Sequence, residues 1–272
     1  MISVITPCKN TISDGREEFF RKMINTLYSQ TYQDFEHIVV DGGSEDGSVA
    51  MLQDYLAKGK INKLISEKDN NVQEAMNKGI ALAKGEYIHI MNSDNYFTDD
   101  RFFEKSLKEI QEYNVDFTHA DRSIVSKESG QLISVKKGDE CTAFFRMPFR
   151  YQTMIIKKSV YDEIGSLDEK YYIAGDYKFM LKMILAGKKG CYIPEVFICS
   201  LDGGITKDRQ KCIEEVTKVI FECYGEEYDL TMEDCQNIYL RKISDALFSK
   251  ITTNVKNEKI INSLTYCYEQ GN

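Results

Sequence analysis

A chain of 272 residues is long enough to bury a sizeable core, and a hydrophobic share of 42% with 29% charged residues excludes a chain that is disordered throughout. Lys and Arg number 35 against 43 Asp and Glu, a formal charge of -8, which excludes a protein whose main task is neutralising a nucleic-acid backbone. An anionic ligand must therefore be met locally, by a metal ion or by backbone N–H groups.

Ile2 to Thr6 (ISVIT) reads as a strand directly after Met1. No basic n-region or long apolar h-region precedes it, so the expectation is a cytoplasmic protein without a secretory signal. Phe19, Phe20, Met23, Ile24 and Leu27 recur at helical spacing, and HIVV at His37 to Val40 is a second buried strand. A helix marked by Val49, Leu52 and Leu56 follows, then a strand at Lys63 to Ser66, a helix at Ala75 to Ala83 and a strand at Tyr87 to Met91. This alternation predicts a mainly parallel sheet covered by helices on both faces.

After Asn114 the pattern changes. Phe117 to Val125 and Leu132 to Val135 flank KESG as a hairpin, and Tyr151 to Ile156 is another strand. A helix from Asp176 to Ala186 leads to CYIPEVFICS, which Pro194 divides into two short strands. From Asp208 the chain is helical, with Ile213, Val216, Val219 and Ile220 on one stripe and further segments between Ile238 and Ile251. No apolar run is long enough to span a bilayer.

The eight cysteines form no CxxC pair and have no His at ligand spacing, so they read as reduced thiols and zinc is not expected. Cys8 alone stays open, because it follows a strand end that could line a site.

Ligands of an open parallel sheet bind outside the carboxyl ends of its strands. Polar residues gather there three times: Thr6, Pro7, Cys8, Lys9 and Asn10; Asp41, Gly42, Gly43 and Ser44 with Asp46; and Asn92 to Asn95. Each has a plain structural alternative. Asp41 and Asp94 could be turn residues, and Asp46 and Asp176 could cap helices. His37 and His89, inside apolar strands, read as core residues, whereas His119 beside Asp121 is open between core and acceptor contact.

The pieces ITPCKN, QTYQDFE, VDGGSEDGS, AMNKGIALAKGEYI, NSDN and AGDYKF, in this order, resemble the inverting family 2 glycosyltransferases. That resemblance implies an α/β, GT-A (Rossmann-like), mixed and mainly parallel sheet flanked by helices over residues 1–206, with a C-terminal helical extension over 207–272. It implies a nucleoside-diphosphate sugar donor, a UDP-sugar being commonest, with Thr6 and Pro7 against the base and ribose, Asp41 accepting a hydrogen bond from the base, and Asp69 as a second nucleotide contact. Asp94 would be the carboxylate of the DxD-like motif, holding magnesium or manganese. Asn92 stands where that motif has its first Asp, so one carboxylate should hold metal weakly until the diphosphate completes the shell. Asp176 would be the catalytic base, with Asp168 and Glu169 as rivals. Gln152 matches a donor or acceptor contact, Tyr151 replacing the His often seen before it, and Gly203, Gly204 and Thr206 resemble a loop closing over the diphosphate.

The implied acceptor is a saccharide or lipid-linked saccharide, in cell-surface polysaccharide synthesis at the inner membrane face. Peripheral membrane contact and a homodimer through the C-terminal helices are further expectations, the segment KITTNVKNEKIINSL being weakly amphipathic. Among rivals, a Rossmann oxidoreductase lacks its G-x-G-x-x-G after the first strand, and a nucleotidyltransferase lacks its Gly-rich triphosphate loop. A non-catalytic binding module on the same fold would require Asp94 and Asp176 to be dispensable.

Overall fold

The computed structural model describes residues 1–203 and 208–271. Gly204 and Thr206 lie outside the described residues.

The first strand, β1 (Ile2–Cys8), is buried along its whole length, as a central strand of a parallel sheet with both faces covered must be. It pairs in parallel with β2 (Phe35–Asp41) on one side and β4 (Tyr87–Ile90) on the other, and β2 pairs in parallel with β3 (Lys63–Ser66). Helices α1 (Glu17–Tyr28), α2 (Ser48–Ala57) and α3 (Val72–Leu82) make the crossovers. Phe20, Met23, Ile24 and Leu27 of α1 are the buried stripe that their spacing predicts. Helix α3 lies so close to β1 that a Cβ on Gly79 would stand 2.3 Å from Cγ2 of Ile5. Only a glycine lets the two elements approach this far.

Beyond β4 the sheet turns mixed. The elements that follow are β5 (Asn95–Phe97), α4 (Phe102–Glu112), β6 (Phe117–Val125), β7 (Leu132–Lys136), β8 (Met154–Lys157), α5 (Lys158–Ile164), α6 (Gly175–Leu185) and β9 (Gly190–Leu201). The strand order is β3-β2-β1-β4-β8-β6-β9-β5, with β7 paired to β6 as an outer strand. The fold is the expected α/β class.

Two local expectations are corrected. The strand predicted from Tyr151 begins at Met154, because the Arg150 carbonyl accepts from both the Thr153 N–H (2.9 Å) and its hydroxyl (2.8 Å) and closes a 3-10 turn first. The stretch around Pro194 is one strand rather than two. Ile193 pairs with Ala120 and Val196 with Asp121, so Pro194 and Glu195 bulge out of the ladder, where a missing N–H costs nothing.

By its internal contacts the chain divides into two units that interleave, where the sequence reading places one boundary after Thr206. The first holds Met1–Gly138, Phe149–Glu169 and Lys188–Asp202, and contains the whole sheet. The second holds Asp139–Pro148, Lys170–Gly187 and Gly203–Asn272. Within it, α6 joins α7 (Arg209–Ile220), α8 (Met232–Tyr239), α9 (Asp245–Asn254) and α10 (Glu258–Gly271). Its core includes Tyr177, Val219, Ile220, Tyr224, Ile238, Ile251, Ile260 and Leu264. Segment 139–148 is held there by its carbonyls: Ala143 accepts from the Tyr177 hydroxyl (2.8 Å), Phe144 from Tyr224 and Cys141 from Ser263 (2.6 Å).

Candidate active site

The ends of β1 and β2 are tied together by a hydroxyl relay. Asp41 is fully buried, and its carboxylate accepts from the Ser44 N–H (2.9 Å), the Ser66 hydroxyl (2.8 Å) and the Ser44 hydroxyl. Ser44 Oγ in turn accepts from the Asn10 N–H at 2.7 Å. Gly43, at φ +76, supplies the left-handed turn that brings Ser44 back over Asp41. Asp41 therefore holds the turn, and its oxygens already have donors.

Thr6 is also buried. Its Oγ1 lies 3.0 Å from Nε2 of His37, whose Nδ1 lies 3.1 Å from the Lys60 carbonyl. A carbonyl only accepts, so Nδ1 carries the proton and Nε2 accepts from the Thr6 hydroxyl. Burial pushes His37 down to about 4, so it is the neutral core residue expected. His89 is buried likewise, with Nδ1 2.8 Å from the Met154 carbonyl and its ring among Phe97, Phe102 and Phe103. Cys8, next along β1 after Pro7, is an inert thiol, pushed up to about 12 by burial and then by the Asp41 charge.

Asp69 is different. One carboxylate oxygen is paired with Lys78, which also binds Glu67 (2.8 Å) and Glu74 (3.0 Å). The other, Oδ2, is buried without a partner and lies 3.4 Å from where a Gly42 side chain would begin. Burial raises the Asp69 carboxyl above its ordinary range, against the pull of Lys78. An acceptor oxygen is thus left without a donor beside the end of β2.

At the end of β4 the chain turns, the Asn95 N–H donating to the Asn92 carbonyl at 3.1 Å. The turn reading holds for this stretch. Burial raises the Asp94 carboxyl, and the charges of Arg16, Lys127 and Arg122 oppose that shift. Arg122, on β6, is pushed down to about 10 by burial and by neighbouring Arg150; its Nη1 donates to Ser200 (3.3 Å), and its Nε is buried without a partner. Arg16, Lys127 and Arg122 were not read from the sequence, because they come from a loop and a hairpin with no periodicity in common. They make the surroundings of Asp94 anion-seeking in a chain of net negative charge.

Side-chain oxygens of Asn92 and Asn95 are buried there without partners. Hard oxygen donors of this kind fit a magnesium or manganese ion. Among the described residues no three His, Cys, Asp or Glu side chains converge, so phosphate oxygens would have to supply much of the shell.

Of the remaining candidates, Gln152 is half-buried in the turn before β8, and Gly203 has φ +107. His119 is a core residue, stacked between Phe149 (4.4 Å) and Tyr192 (5.2 Å) and pushed down to about 4 by burial. Glu169 accepts from the Asn77 amide at 2.7 Å, which occupies one of the two rival bases.

In the second unit, Asp176 is the second residue of α6, two past the cap position at Ala174, and accepts from the Tyr177 N–H at 2.8 Å. The approach to α6 is clamped from α7. Glu215 accepts the consecutive N–H groups of Tyr172 (3.1 Å), Ile173 (2.7 Å) and Ala174 (2.9 Å). No sequence pattern announces Glu215, since its partners are backbone groups some forty positions earlier.

An unpartnered acceptor beside one strand end and a carboxylate among cations at another stand where ligands of an open α/β sheet bind. The profile of Glycosyl transferase family 2 matches residues 3–167, and the chain belongs to that family. An uncharacterised glycosyltransferase of Haemophilus influenzae is 28% identical over 162 residues, covering 58% of this chain and 62% of the relative. Glycosyltransferase GlyG of Streptococcus pneumoniae is 24% identical over 97% of this chain and 86% of its own. Among solved structures, Staphylococcus aureus TarS 1-349 in complex with UDP-GlcNAc superposes with a TM-score of 0.67 at 18% identity, covering 98% of this chain and 80% of that one. The mannosyltransferase PcManGT of Pyrobaculum calidifontis, in complex with GDP-Man and Mn2+, gives 0.61 at 15% identity over 99% and 86%. The GT-A fold is shared with both. No helix among the described residues is long and apolar enough to cross a membrane.

Proposed function

We propose that the protein transfers a glycosyl group, with inversion, from a UDP-sugar to a hydroxyl of a saccharide acceptor. The observation that carries the donor assignment is the buried, unpartnered Oδ2 of Asp69 beside Gly42. A buried carboxylate oxygen seeks a donor, and the imide N–H of uracil is one, whereas the ring N3 of cytosine is an acceptor. Asp41 then acts on the base through the turn it holds, a change from the direct contact that the family resemblance implies. Pro7 stands opposite Val40 in the ladder, and the Thr6 hydroxyl is tied to β2 through His37.

Asp94, with Asn92, would hold a divalent cation, which supplies charge to the leaving diphosphate when bound. Arg16, Arg122 and Lys127 add fixed positive charge in the same neighbourhood, so the donor's phosphates meet cations without the protein being basic overall. Asp176 is the proposed base, by its place in AGDYKF, taking the acceptor proton as the oxygen attacks the anomeric carbon. A carboxylate accepts such a proton late, once the bond to carbon has made the hydroxyl acidic. Glu215 fixes the backbone that leads into α6.

Calorimetric titration with UDP, dTDP, GDP and CDP, with and without manganese, tests the reading. Binding by nucleotides with an imide edge, tightened by metal and absent for CDP, is the expected result. Equal binding of CDP would refute the role given to Asp69, and no binding of any nucleotide would refute the transferase reading.

A further inference from the structure

The β6–β7 hairpin carries an apolar surface that the transfer chemistry does not use. On β7, Leu132 is 63% exposed, Ile133 54% and Val135 45%. Leu132 and Ile133 are consecutive, so neither face of the strand is covered, and its outer edge has no ladder partner among the described residues. Exposed aliphatic side chains gathered in a single five-residue strand are a marked concentration for a protein surface. They are also what natural edge strands usually avoid.

The charge around this strand is opposite to that of the protein. From Val125 to Lys137 there are three lysines, Lys127, Lys136 and Lys137, against Glu128 alone, in a chain of net charge -8. Neither Lys136 nor Lys137 enters an ion pair among the described residues. The KITTNVKNEKIINSL segment, the amphipathic candidate from the sequence, offers less: its Ile251, Val255, Ile260 and Leu264 are buried. Two copies meeting through β7 would set basic hairpin against basic hairpin.

We propose that the β6–β7 hairpin docks the protein on an anionic lipid surface, with Leu132, Ile133 and Val135 entering the interfacial layer and Lys136 and Lys137 against acidic headgroups. The hairpin's base leads to the donor site: Lys136 pairs with Arg122 in the ladder, and Arg122 acts on Asp94. Lys127 donates to the Asp14 carbonyl (2.8 Å), which ties the hairpin tip to the loop before α1. Docking there would bring a lipid-borne acceptor towards the cations around Asp94. This deepens the proposed transfer to a saccharide by giving its acceptor a membrane address.

Co-sedimentation of the full chain with phosphatidylcholine vesicles, with and without phosphatidylglycerol, tests the docking. Binding should require phosphatidylglycerol and weaken with salt. K136E/K137E should lower partitioning by about 25-fold or more, since each basic residue near such a surface contributes about fivefold. L132S/I133S/V135S should lower it by at least about tenfold. Both variants keep the wild-type UDP titration, because none of these residues belongs to the nucleotide site, and their circular-dichroism melts report that they fold. Wild-type protein that ignores anionic vesicles, or variants that bind as well as wild type, would overturn the docking while leaving the nucleotide reading untouched. A dimer detected by light scattering and lost in L132S/I133S/V135S would overturn it in favour of a second copy.

Discussion

Asp69→Asn should turn a uracil site into a cytosine site. Lys78 offers only donors, so the new amide presents its oxygen to Lys78 and its NH2 where Oδ2 now stands unpartnered. The imide N–H of uracil then faces a donor. Losing a hydrogen bond to a charged acceptor costs about 1.5–3 kcal/mol, and a donor left buried and unpaired about 1–3 kcal/mol more. UDP should therefore bind about 100-fold more weakly, each 1.4 kcal/mol being about tenfold. Cytosine N3 accepts from the new NH2, so CDP gains about 1 kcal/mol and the preference shifts by about 10³ in all. The fold should tolerate the change, as Lys78 keeps Glu67 and Glu74. Titration of both nucleotides into wild type and variant reads the effect. Unaltered UDP affinity, or no gain for CDP, would refute the placement of the base at Asp69. Acid should imitate the substitution. Burial raises the Asp69 carboxyl, so the ionised acceptor is lost as pH falls through a value above that of an ordinary aspartate, and UDP affinity falls with it. For stability the sign is reversed: the folded state takes up this proton before the unfolded one does, so acidification through that window adds stability from this group.

Other substitutions address the remaining roles. Asp94→Ala should remove the manganese-dependent part of UDP binding and leave the metal-free part, and undiminished stimulation by manganese would exclude Asp94 as the ligand. Asp176→Asn should keep UDP affinity and lower turnover of the donor by at least about 100-fold, whereas full turnover would pass the role of base to another carboxylate such as Asp168. Glu215→Ala should raise amide hydrogen exchange at Tyr172, Ile173 and Ala174 and lower turnover without changing UDP affinity; unchanged protection would mean that the three bonds do not hold the segment. Gly79→Ala should cost about 1–3 kcal/mol by forcing its new methyl against Ile5, and Ile5→Ala in the same chain should cost less than the sum of the two single changes.

Much of the sheet could be read along the chain because its strands are local apolar runs separated by helical periods. Ile2 to Thr6, His37 to Val40 and Lys63 to Ser66 all lie in observed strands. The bulge at Pro194 could not be read, since a proline looks the same whether it ends a strand or swells out of one, and only the pairing of Ile193 and Val196 with neighbouring residues of β6 decides it. Motif order brought out Asp41, Asp69, Asp94 and Asp176 as candidates, yet it could not tell which carboxylate oxygens are already taken. Asp41 and Asp69 look alike in sequence. Two serines separate them: Ser44 and Ser66 donate to Asp41, and Asp69 keeps an oxygen open. The cations around Asp94 were hidden for a related reason, because their nearness is made by folding and not by spacing.

The Glu215 clamp bears on how this protein could be recombined with its relatives. The family match ends at residue 167, so both AGDYKF and the carboxylate that grips the backbone before it lie beyond the matched segment. A crossover placed between Gly187 and Arg209 would bring a foreign helix to the three N–H groups of Tyr172, Ile173 and Ala174, and these would lose their acceptor unless the donor sequence carried a carboxylate at the equivalent turn. Parts exchanged between such enzymes should therefore be cut ahead of Lys170, so that the motif travels with its own clamp.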